Sequence, residues 1–142
     1  MKEQNFKNHP RYVAGYHFVA FAALLAVLVG SIVNLVTSSK DNLYSASLIL
    51  ALTLILVLVG FYARHFAKKA QDRAIRAEEN FRHYLLTGKA LDKRLALSQI
   101  IALRFASDEE FPALAEKALA EGLSNKQIKQ AVKRWKADHH RV

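Results

Sequence analysis

LYSASLILALTLILVLVGFYARHFAKKAQDRAIRAEENFRHYLLT, Leu43 to Thr87, is the stretch on which the reading of this chain turns. Residues 43–63 contain no Lys, Arg, Asp or Glu, residues 64–87 are densely charged, and no Gly-Pro break separates the two halves. The uncharged half is long enough, at about 1.5 Å per helical residue, to cross a hydrocarbon core of about 30 Å. The charged half keeps a helical face: Phe66, Ala70, Ala74, Ala77, Phe81 and Leu85 follow one another at intervals of three or four. Asp72 with Arg76 and Glu78 with Arg82 have the (i, i+4) spacing of surface ion pairs. The pattern predicts one helix that leaves a bilayer and continues into water, a rod on the order of 65 Å. Gly88 then offers a left-handed C-cap.

Working towards the N-terminus, residues 37–42, TSSKDN, read as a tight turn. Before them residues 16–36 form a second uncharged run. Two such runs joined by six polar residues predict an antiparallel transmembrane hairpin with spans 16–36 and 43–63. In the first span Ala22, Ala26, Gly30 and Asn34 fall four apart, a small-residue ridge that lets another backbone come close. On this reading Gly30→Leu separates the helices and weakens association. In the second span Ala46, Thr53 and Gly60 recur every seven residues, a seam suited to the first span. Tyr12, Tyr16 and Phe18 at one end, and Phe61 and Tyr62 at the other span's end, suit the aromatic belt of a membrane interface, and His17 reads as a headgroup-level side chain. The first run is too long for the apolar core of a signal peptide, and no small-residue cleavage site follows it.

Charge orients the hairpin. The net charge of +9 is concentrated in residues 1–15, with three Lys/Arg against one acid, and in residues 64–142, with seventeen against ten. The connecting turn carries one of each sign. Cations on both flanks of a neutral link place both termini in the cytoplasm. Arg64, Lys68 and Lys69 then lie at the membrane surface, where an anionic leaflet would attract them.

Past Gly88 three short amphipathic helices are expected. One covers about 97–106 and carries Ile100, Ile101, Leu103 and Phe105; the next starts near Pro112 and ends at Gly122. Asp108, Glu109 and Glu110 suit the positive end of that second helix, so they read as dipole partners and not as a metal or acid-base site. Ser124 with Gln127 is a capping box for the third, on which Ile128, Ala131, Val132 and Trp135 would face inward. Lys126, Lys129, Lys133 and Lys136 form a basic stripe there, a candidate surface for a partner or for nucleic acid. The three helices bury little by themselves, so they are expected to pack on the Phe66-to-Leu85 face or on another chain. The chain divides accordingly into residues 1–15, the two-span segment 16–63, a cytoplasmic arm 64–88 and a small helical domain 89–142.

The sequence also excludes chemistry. Without Cys there is no disulfide, thiolate nucleophile or Cys-ligated metal. His9, His17, His65, His83, His139 and His140 show no ligand spacing, and His139 with His140 reads as a solvated tail. Neither span carries the buried carboxylate, Lys or Arg that marks an ion or proton path. No catalytic residue, metal or cofactor is expected, and the chain is read as a non-enzyme.

Four segments resemble a known group: residues 16–18 (YHF), 43–48 (LYSASL), 70–80 (AQDRAIRAEEN) and 104–112 (RFASDEEFP). They are similar to those of small bacterial two-span proteins catalogued as a domain of unknown function. The resemblance covers nearly the whole chain, implies a multi-pass protein of the bacterial inner membrane, and supplies no activity. The expected fold is therefore an all-α membrane protein with a two-helix hairpin, a long extension of its second helix and a C-terminal cluster of three helices. The expected function is that of an accessory or scaffold subunit, in contact with the bilayer and with another membrane protein or copies of itself. The alternatives are a membrane-tethered nucleic-acid binder, whose residues 118–131 imitate a helix-turn-helix except that Glu121 stands where an apolar residue is usual, and a homo-oligomeric channel.

Overall fold

The computed structural model describes residues 4–9 and 12–138. Pro10, Arg11, His139 and His140 lie outside the described residues. Among the described residues the regular structure is helical: a π-helical entry Gly15–Ala20 running into α1 (Phe21–Thr37), then α2 (Leu43–Thr87), α3 (Leu97–Leu103), α4 (Phe111–Ala120) and α5 (Asn125–Ala131). The chain divides into two compact units, whose boundaries fall inside the expected segments 1–15 and 64–88. One is built from residues 1–11 and 68–142, the other from Tyr12–Ala67.

The Tyr12–Ala67 unit holds two helical stretches long and apolar enough to cross a membrane, Gly15–Thr37 of 23 residues and the start of Leu43–Thr87. Only 6% and 11% of their most apolar windows is buried, so neither is covered as a core helix within this chain. What burial there is falls on narrow lines. In α2 Ala46 and Thr53 are buried, and Leu50, Val57 and Gly60 are half-buried, at alternating intervals of four and three. In α1 the buried residue is Ser31, flanked by half-buried Leu24, Leu28 and Leu35. The hydroxyls of Ser31 and Thr53 donate to Leu28 O (2.8 Å) and Ile49 O (2.8 Å) within their own helices, which is how both are satisfied in an apolar setting. The Arg64 guanidinium lies 5.5 Å from the Tyr16 ring centroid, a cation-π contact. At the entry, Val13 N–H donates to His17 Nδ1 (3.1 Å), so the imidazole caps the first turn.

The other unit is organised around a compact core of Leu91, Leu95, Ile100, Leu103, Phe111, Leu114, Ala118, Ile128 and Val132, with Leu119, Leu123 and Trp135 packed on it. Phe105 is also fully buried, between the rings of His9 and Trp135. Local rules place the ends of these helices. Gly88 has φ +72° and donates its N–H to Tyr84 O (2.8 Å), closing α2. Gly122 has φ +61°, and Leu123 N–H reaches back to Ala118 O (3.0 Å), the six-to-one bond of a Schellman motif. Pro112 sits in the first turn of α4. Ser124 and Gln127 form the expected capping box on α5.

Two expectations about this unit change. α3 stops at Leu103 and α5 at Ala131, so Val132 and Trp135 follow α5 in non-helical backbone. The reason is a competing set of partners: Ser107 N–H donates to Arg134 O (3.1 Å) and Lys136 N–H to Phe105 O (2.8 Å), with Ala106 and Trp135 forming an antiparallel bridge. These bonds extend both segments, which neither a helical α3 end nor a helical α5 end permits.

Candidate interaction surface

The part of α2 from Lys68 to Thr87, in the unit that holds the C-terminal helices, has two faces with different fates. Ile75 and Glu79 are buried, and Gln71, Asp72, Arg82 and His83 are half-buried; this face takes the small helical cluster. Arg82 is its centre. Its Nε donates to Asp108 Oδ1 (2.7 Å), Nη1 to Glu79 Oε2 (3.0 Å) and Nη2 to Ala106 O (2.7 Å), while the guanidinium plane sits 4.5 Å from the Phe111 ring centroid. One planar, permanently charged fork thus holds four groups from three places in the chain. His83 adds an edge-on contact with the same Phe111 ring at 5.8 Å, and Asn80 Oδ1 accepts from Leu91 N–H (2.9 Å). The expected helical pairs are replaced: Arg82 bonds Glu79 and Asp108 in place of Glu78, and no ion pair joins Asp72 to Arg76 among the described residues.

The opposite face is uncovered. Phe81 and Leu85 are 62% and 67% exposed, and Ala70, Ala74 and Ala77 are exposed with them; Phe66, in the Tyr12–Ala67 unit, is 61% exposed. The apolar face read from the sequence is therefore not the one that receives the C-terminal helices. Those helices bind through Ile75 and a buried polar fork, a combination that apolar periodicity does not report. Beside the uncovered face runs an open depression of about 350 Å³ lined by Phe81, Leu85, Leu86, Glu78, Asp108 and Lys136.

The acidic triplet turns out to be a set of three clamps. Asp108 takes Arg82, and Glu110 accepts the N–H groups of Lys133 (3.2 Å) and Arg134 (3.0 Å). Glu109 faces Arg134 at 3.5 Å, and the neighbouring Ser107 side chain holds its carboxyl below the ordinary 4.5. α4 begins at Phe111 with Glu110 as its N-cap, so the triplet stands at the N-terminal end of the helix as expected and is tied in addition by these contacts. Two further carboxylates are perturbed. Burial pushes Glu79 up from 4.5 against the opposing pull of Arg82, and the fork of Arg94 holds exposed Asp92 down to about 2.

The basic stripe is divided. Lys126 and Lys129 lie on α5, whereas Lys133 and Lys136 lie beyond its end. Lys129 is engaged inside the unit: its Nζ donates to His9 Nε2 (3.3 Å) and sits 5.7 Å from the Phe105 ring centroid. His9 presents that lone pair because its Nδ1 donates to Phe6 O (2.8 Å). Gln4 completes the attachment of the N-terminal segment, accepting from Asp138 N–H (2.8 Å) and donating to Asp138 O (3.4 Å). Residues 4–9 are thereby seated on the helical cluster, a contact between positions 134 apart that no local sequence signal announces.

The remaining predicted residues are placed as follows. Ala46 and Thr53 are buried and Gly60 half-buried on one line of α2. Ala22, Ala26, Gly30 and Asn34 are exposed, and a Cβ added at Gly30 would meet nothing within 4 Å. Arg64 is half-buried over Tyr16, and Lys68 and Lys69 are exposed. Among the described residues no three His, Asp or Glu side chains stand close enough to hold a metal ion.

A family model described as a family of unknown function, DUF6526, matches residues 1–142. No curated protein matches the chain, and no solved structure does.

Proposed function

We propose a role for this chain, which belongs to the DUF6526 family, from its geometry: a membrane-anchored scaffold subunit of the bacterial inner membrane. Two spans form an antiparallel hairpin, both termini lie in the cytoplasm, and the arm of α2 with its helical cluster presents a binding surface to other proteins or to copies of the chain. The observation that carries this reading is the seating of residues 4–9 on the unit that follows the second span. A segment before the first span and a domain after the second touch each other, which requires an even number of crossings between them. The low burial of the two apolar stretches supports a lipid environment, because so many exposed Leu, Ile, Val and Phe side chains would be costly in water. The five-residue turn between Thr37 and Leu43, the contact of Arg64 with Tyr16 and the buried line Ser31, Ala46 and Thr53 support the antiparallel arrangement. Cations on both flanks favour the cytoplasmic side.

The scaffold role follows from the arm. It offers an exposed apolar face along α2. Reporter fusions before residue 4, at Lys40 and after residue 138 test the topology: the first and third are expected inside the cell and the second outside. An outward third reporter would end this reading. Purification from native membranes in mild detergent is expected to yield an assembly larger than one chain, and a strictly monomeric particle would remove the scaffold role.

A further inference from the structure

The uncovered face of the arm has the form of one half of a parallel coiled coil. Ala70, Ala74, Ala77, Phe81 and Tyr84 follow one another at intervals of four, three, four and three, the a and d positions of a heptad. All five are exposed, and at 100° per residue their stripe is centred on the side of α2 opposite the buried Glu79. The chain's own helical cluster therefore occupies one side of the helix and leaves this seam clear. Phe81 and Tyr84 give it an aromatic end, and Leu85 extends it.

The charges beside the seam indicate its occupant. Arg73 precedes the a position Ala74 and Glu78 follows the d position Ala77, so they are the g and e residues of the heptad, on opposite edges of the stripe. In a parallel two-fold pair, Arg73 of one copy stands beside Glu78 of the other, and the symmetry makes the contact twice. An antiparallel or unrelated partner would not have this self-complementarity. Neither residue has an ion-pair partner among the described residues. We infer that the seam from Ala70 to Tyr84 is where a second copy of this chain docks, in parallel and two-fold symmetric, with Arg73 and Glu78 setting the register. The inference rests on the membrane reading above, since insertion in one orientation is what makes the arms parallel. About four helical turns with Ala at three of five core positions bury little area. Confinement to one bilayer raises the effective concentration of the second arm and compensates for it.

The test uses the full chain in its membrane. With no native Cys, single-cysteine variants report proximity directly. Mild oxidation should convert Ala70→Cys, Ala74→Cys and Phe81→Cys to disulfide dimers several-fold more than the off-seam controls Lys69→Cys and Arg76→Cys. In the Ala74→Cys background, Arg73→Glu and Glu78→Arg should each lower the dimer yield several-fold, and the double exchange should restore it. Equal yields at all five positions, no dimer at any, or a double exchange no better than the singles overturns the inference. Alkaline carbonate extraction separates the two ideas. A chain that stays in the membrane without seam-specific cross-links refutes the dimer alone, whereas one released by carbonate refutes the membrane reading.

Discussion

Arg82 on α2 donates to Asp108 in the connection between α3 and α4 at 2.7 Å, and in doing so fastens the arm to the helical cluster. The same guanidinium neutralises buried Glu79, so removing it does two things at once: it frees the connection and strands a carboxylate. Arg82→Ala is expected to destabilise this unit by about 3 kcal/mol, the cost of breaking a largely buried pair from one side. Arg82→Met combined with Glu79→Gln should lose clearly less, because no charge is left behind. Hydrogen exchange of residues 104–111 in the full chain in detergent is the measurement, and unchanged protection in Arg82→Ala would contradict it.

Glu79 gives the unit a pH dependence of defined sign. Burial raises its folded-state pKa above the ordinary 4.5, so its contribution is most favourable below the unfolded value and is lost as pH rises through the folded one. Glu79→Gln keeps an oxygen acceptor for Arg82 and removes the titration. The variant should be more stable than the parent at neutral pH, with the gap closing as pH falls through the carboxylate range. Denaturation followed at several pH values checks this, and a gap that widens on acidification would reverse the assignment.

The seating of residues 4–9 depends on Phe105. Its ring is fully buried and meets His9 at 5.7 Å and Trp135 at 4.9 Å between centroids. Phe105→Ala should cost about 3–5 kcal/mol and expose the bond after Lys7 to trypsin. Gln4→Ala removes two hydrogen bonds to the Asp138 backbone, worth roughly 1 kcal/mol each, and should expose the same bond while leaving the core intact. Equal trypsin resistance in all three proteins would mean that the segment is not held as described.

In the Tyr12–Ala67 unit the decisive contrast is between Ala46 and Gly30. Ala46 is buried on the α2 line, so Ala46→Leu should overpack it by about 1–3 kcal/mol. Gly30 has open space around it, so Gly30→Leu should leave the single chain undisturbed. If Gly30→Leu nevertheless changes the assembly, the ridge Ala22, Ala26, Gly30 and Asn34 contacts a different molecule. Thermal unfolding and native mass in detergent read the two effects separately.

Much of the fold was legible because it follows from short-range rules. The two uncharged runs, the unbroken helix from Leu43 to Thr87, its end at Gly88, the Pro112 start and the Ser124 capping box all depend on residues a few positions apart. Periodicity also located the Ala46 and Thr53 line, because a seven-residue repeat is a property of one helix. It failed for α1. There the small residues Ala22, Ala26, Gly30 and Asn34 are exposed and Ser31 is buried, since residue size states only that close approach is possible.

The sequence by itself determined which segments are helical, where α2 and α4 end and which two stretches are long and apolar enough to cross a membrane, because backbone capping and side-chain hydrophobicity act locally. Only the tertiary structure decided which face of the arm is occupied. Ile75, Glu79 and Arg82 took the helical cluster because one guanidinium could satisfy a carbonyl and two carboxylates there at once, a three-dimensional coincidence that outweighed the more apolar face across the helix. The same holds for the contacts of Gln4 and His9, whose partners are joined to them by folding and by nothing in the adjacent sequence.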